Sequence, residues 1–68
     1  MDVSRVRDRI AVIAKSASSD VEQAHGLEDD LYRDVLKVIA QTSSDPRARA
    51  LAAEAIKASE IDFERWYA

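Results

Sequence analysis

Cysteine is absent from this chain, and glycine and proline occur once each. Without cysteine there are no disulfides and no thiolate metal sites. With so few helix breakers and turn formers, the sequence reads as helical throughout. Long apolar runs are missing too. None approaches the roughly 20 residues that a membrane span needs, so no membrane association is expected. The opening residues, Met1-Asp2-Val3-Ser4-Arg5, lack the basic stretch and apolar core of a secretory signal. A soluble, cytoplasmic protein is the expectation. Basic charge is also in short supply: 10 lysines and arginines stand against 13 acidic residues, for a net charge of −3. That balance argues against broad phosphate neutralisation, the usual basis of nucleic-acid binding.

What is present is a short, well-mixed chain. Sixty-eight residues that are 47% apolar and 34% charged point to one folded domain, residues 1–68, rather than a disordered segment. A chain of this size buries only about 60% of its unfolded surface. Its core alone rarely supplies more than about 3–5 kcal/mol. With disulfides excluded, self-association or an obligate protein partner is the expected remedy.

Three helical segments emerge. In residues 2–17, Val3, Val6, Ile10, Ile13 and Ala17 recur at spacings of three and four, the a/d seam of a coiled-coil-like helix. Ser16-Ala17-Ser18-Ser19 breaks that pattern. Asp20 and Gln23 then form an Asp-x-x-Gln version of the capping box, opening a second helix over residues 20–41. Its stripe is Ala24, Leu27, Leu31, Val35 and Val38, widened by Val21, Tyr32, Leu36 and Ile39. Gly26 lies inside it and suggests a kink or a close backbone approach. Asp45 and Pro46 supply an N-cap and a first-turn proline for a third helix over residues 46–58. Ala48, Leu51, Ala52, Ala55 and Ile56 form its expected inner face. Three of the four aromatic residues follow, as Phe63, Trp66 and Tyr67. An all-α, three-helix domain with a docked aromatic C-terminal strap is therefore expected, in an oligomer.

One carboxylate is out of place. Glu28 falls within the apolar stripe of the second helix, where a charge must be paired, protonated or covered. Arg65 in the strap is the first choice of partner, with Trp66 beside it, and Arg7 is the alternative. His25, Glu28, Arg65 and Trp66 thus form a candidate polar cluster. Glu22-x-x-His25-x-x-Glu28 places three possible metal ligands on one side of the helix. The Glu-x-x-His half resembles half of a ferritin-like di-iron ligand set, to be completed by a second copy or by Glu54 or Glu60. Glu28-Asp29-Asp30, with Asp34, reads as an acidic face. No serine or cysteine nucleophile is spaced to use His25. No catalytic residue and no cofactor are expected.

Ala24-His25-Gly26-Leu27-Glu28-Asp29-Asp30-Leu31, followed by Val35-Leu36 and Ile39-Ala40 and closed by Ile61-Asp62-Phe63-Glu64-Arg65-Trp66-Tyr67-Ala68, resembles a group of short, uncharacterised helical proteins of bacterial and phage genomes. The resemblance brings no activity, ligand or cofactor. It implies that the His-x-x-Glu-Asp segment and the Asp-Phe-x-Arg-Trp tail belong together, and it fits an accessory role such as a small inhibitor or adaptor.

The expected function is that of a small non-enzymatic binding or regulatory module, acting through protein–protein contacts or self-association. A helical oligomer that binds a metal or small ligand through Glu22, His25 and Glu28 is the alternative. A nucleic-acid-binding regulator using Arg5, Arg7, Arg9, Arg47 and Arg49 comes after it.

Overall fold

Helix α1 runs Val3–Ala17, α2 runs Val21–Thr42 and α3 runs Pro46–Ile56, with a 3-10 turn over Lys57–Glu60. The computed structural model describes residues 1–61 and contains no strand among them. Asp62–Ala68 lie outside the described residues, so the expected strap and its Arg65 and Trp66 lie outside them too. The described residues form two compact units, 1–31 and 32–61, and the division falls within α2.

The helix starts follow from their caps. The Asp2 carboxylate accepts a hydrogen bond from the Arg5 N–H at 2.9 Å, and the Asp45 carboxylate accepts one from the Arg47 N–H at 2.9 Å. Pro46 occupies the first turn of α3. There its missing N–H costs no intrahelical hydrogen bond. The Arg49 guanidinium donates to the Ser43 carbonyl at 2.8 Å and ties the turn before α3 to the helix it precedes.

Asp20 caps α2 by accepting from the Gln23 N–H at 3.0 Å. The second half of the expected capping box has a different partner. The Gln23 side-chain oxygen accepts from the Ser16 hydroxyl at 3.0 Å, and the Asp20 N–H donates to the Ser16 carbonyl at 2.7 Å. The end of α1 therefore serves both groups that the second half of a local box would have paired, and the α1–α2 turn is stapled from two sides.

Only three apolar residues are buried among the described residues: Ala24, Leu31 and Ala52. Two of the three are alanine, so the bulk of the buried apolar volume rests on one leucine. On α2 the expected stripe is the covered face. Ala24 and Leu31 are buried, and Leu27, Val35 and Val38 are half-buried. The expected flanks divide, with Leu36 and Ile39 half-buried but Val21 and Tyr32 exposed.

Helix α1 departs from its expected seam. It contains no buried residue. Its half-covered row is Val6, Arg9, Ile13 and Ser16, while Val3, Ile10 and Ala17 are exposed. The helix is rotated so that only the d half of the a/d pattern turns inward. Val3 is 64% and Ile10 52% exposed.

Helix α3 also covers a narrower face than its sequence suggests. Ala52 is buried and Ala48 and Ile56 are half-buried, a single i, i+4 row, whereas Ala55 is exposed and Leu51 is 64% exposed. Alanine side chains are short, so a close contact made through one row does not reach neighbouring rows. The α-helical hydrogen bonding ends at Ile56, two residues earlier than expected, and tightens into the 3-10 turn, a common way to finish a helix. At this end Lys57 donates to the Glu54 carboxylate at 2.8 Å, an exposed i, i+3 pair that raises the Lys57 ammonium above its usual pKa.

The close backbone approach offered as a reason for Gly26 is not found. The helix continues through it, and a Cβ built at this position would meet nothing within 4 Å beyond its own stretch of helix backbone. No close backbone approach requires a glycine here.

Candidate functional site

The site is built where the α1–α2 turn brings two helix ends together. Ser18 and Ser19 fold their hydroxyls back onto the carbonyls of Lys15 and Ser16, at 2.7 and 3.4 Å. With the Ser16–Gln23 and Asp20–Ser16 hydrogen bonds, they fix how the last turn of α1 meets the first turn of α2. A shallow groove of about 150 Å³ results, lined by Ile13, Ala17, Val21, Ala24, His25 and Glu28.

Its chemistry is uneven. Ile13, Ala17, Val21 and Ala24 supply only aliphatic surface. His25 and Glu28, three residues apart on α2, supply all of the polar lining. His25 is exposed, whereas Glu28 is half-buried. The carboxylate singled out by its position in the apolar stripe thus borders an apolar depression. Pockets for small molecules and cofactors usually hold about 300–1,000 Å³. This groove is smaller.

The other candidate residues are placed as follows. Glu22 is exposed and does not line the groove. Among the described residues no three histidine, aspartate or glutamate side chains are grouped to hold a metal ion. Arg7, the alternative partner for Glu28, is exposed and also lies outside the lining. Arg65 and Trp66 lie outside the described residues. Of the expected acidic face, Asp29 is exposed, but Asp30 and Asp34 are half-buried and do not join it as freely solvated charges. Arg47 and Arg49 are exposed at the start of α3, and Arg49 already serves the turn before it.

Comparison of the chain with protein-family models, with curated proteins and with solved structures finds no match. Among the described residues, no helix is long and apolar enough to cross a membrane.

Sequence reasoning found His25 and Glu28 but missed Ile13, Ala17 and Val21 as parts of the same site. Ala17 and Val21 were legible as the last and first apolar positions flanking a serine-rich turn. Two apolar residues separated by such a turn become neighbours whenever the turn closes tightly.

Proposed function

We propose that this protein is a small, non-enzymatic binding or regulatory module that works by protein–protein contact, in the first place with a second copy of itself. One observation carries the reading: α1 is amphipathic, yet none of its residues is buried. Isolated helices of about 12–15 residues are marginal in water, and helices in proteins owe most of their stability to packing of the apolar face. The open row of α1, with Val3 and Ile10 as its large side chains, therefore calls for a cover. A chain with so small a core gains from that cover, and its own second copy is always present at matching concentration. The aromatic C-terminal segment, with Arg65 and Trp66, belongs to this reading as a docked strap.

Sedimentation equilibrium of the intact chain from micromolar to millimolar concentration tests it. The expected result is an average mass that rises above the monomer, with Ile10→Asp returning the protein to monomer while its helical circular dichroism persists. A cooperatively folded monomer at every concentration overturns the reading.

A further inference from the structure

We propose that two copies of this chain pair through α1 in antiparallel orientation, about a two-fold axis at Ile10, with the exposed row Val3, Arg7, Ile10, Ala14 and Ala17 of each helix as the contact. The proposal rests on the reading of the protein as self-associating. It goes beyond that reading by fixing the surface and its orientation.

The row itself is the first argument. Val3, Arg7, Ile10, Ala14 and Ala17 are all exposed. They follow one another at spacings of four, three, four and three, the repeat of a helix–helix seam. The half-covered row of Val6, Arg9, Ile13 and Ser16 lies beside it. Helix α1 therefore carries a second seam next to the one that its own chain half covers.

Size gives the second argument, because the row is graded. Val3 and Arg7 supply bulk on the N-terminal side of Ile10, and Ala14 and Ala17 are small on the C-terminal side. In a two-fold interface, a residue that meets a second one is met by it in turn. Antiparallel pairing about Ile10 sets Val3 on Ala17 of the second copy and Arg7 on its Ala14. Each large side chain except the central isoleucine then faces an alanine, and the helix axes can close to about 8–10 Å along the whole contact. Parallel pairing sets bulk on bulk at one end and alanine on alanine at the other, which leaves a wedge-shaped gap.

Charge selects the same orientation. Arg5, Arg7, Arg9 and Lys15 stand against Asp2 and Asp8 in this segment, so a self-pair must keep its cations apart. In a parallel pair the two Arg7 side chains lie abreast. In the antiparallel pair they are offset by six to seven residues, about 9–10 Å at 1.5 Å per residue. That is close to the screening length of about 8–10 Å at ordinary ionic strength. A helical side chain leans toward its own N-terminus. Each Arg7 therefore reaches over the last turn of the other α1, the negative end of that helix's dipole. A parallel pair would set it over the positive end.

The chain has no cysteine, so each introduced thiol reports alone. Val3→Cys, Ile10→Cys and Ala17→Cys are oxidised at concentrations where sedimentation shows the dimer, with circular dichroism confirming that the helices persist. Ile10→Cys is expected to cross-link to itself. Val3→Cys and Ala17→Cys should each fail to cross-link alone, since equivalent positions lie about 21 Å apart along the antiparallel pair. An equimolar mixture of those two should yield a dimer that joins position 3 to position 17, identified by peptide mass.

The contrary results are distinct. Val3→Cys and Ala17→Cys each cross-linking to itself, with no mixed product, means a parallel pair. A mass above the monomer with no cross-link at any of the three positions means that another surface pairs. Either result overturns the proposal and leaves self-association standing. A thiol at position 10 shielded from reagent in dilute monomer also overturns it, by giving the row to the chain itself. A folded monomer at every concentration removes the proposal and the self-association reading together.

Discussion

Helices α1 and α2 carry similar apolar patterns and have opposite fates. On α2 the patterned stripe is covered, with Ala24 and Leu31 buried. On α1 the patterned seam is half open, with no residue buried and Val3 and Ile10 facing outward. Periodicity says that a helix has an apolar face. It does not say how much of that face its own chain will cover. One row of α1 is half covered, and the row beside it is exposed.

The largest expected effect sharpens this contrast. Leu31 is the one large side chain that is buried among the described residues, so Leu31→Ala should destabilise by about 2–5 kcal/mol, read by urea unfolding. Ile10→Ala on the open row should change unfolding of the dilute chain by no more than about 0.5 kcal/mol, the range of ordinary surface substitutions. Equal losses at the two positions would erase the distinction between covered and open faces.

Next in size are the caps. Asp20→Ala should cost about 1 kcal/mol, within the usual range for loss of an N-cap. Thermal melts of Asp20→Ala beside Gln23→Ala would show whether the staple from Ser16 adds to the cap. A Gln23→Ala change with no effect would mean that the Ser16–Gln23 hydrogen bond contributes nothing to the turn.

The smallest effect has the opposite sign. Gly26 stands in continuous helix with open space around its Cα. Gly26→Ala should stabilise by about 0.5–1 kcal/mol, by helix propensity and by restricting the unfolded chain. A higher denaturation midpoint with an unchanged slope is the expected record. Destabilisation would reveal a contact at Gly26 that the open space around it does not suggest.

Much of this fold is legible in local chemistry. Asp2, Asp20, Asp45 and Pro46 mark helix starts to within a residue because caps and first-turn prolines act over one turn. Helix faces are less legible because coverage depends on the neighbour. Leu51 fits the inner row of α3 by spacing but is exposed, since contact through Ala48 and Ala52 is too narrow to include it. The candidate site divides the same way. Glu28 and His25 stand out by residue type and position on one helix. Their aliphatic neighbours on α1 become visible only once Ser16 has replaced Asp20 as the partner of the Gln23 side chain.

The open row of α1 is the centre of the account, and the concentration dependence of its exposure tests it most directly. Val3→Cys and Ile10→Cys, made one at a time, can be labelled with a thiol reagent at rising protein concentration while mass is followed by sedimentation. The account expects labelling at both positions to slow as the average mass climbs, with a control cysteine at exposed Ala53 unaffected. Constant labelling at all three positions, in a folded chain that stays monomeric, would contradict it.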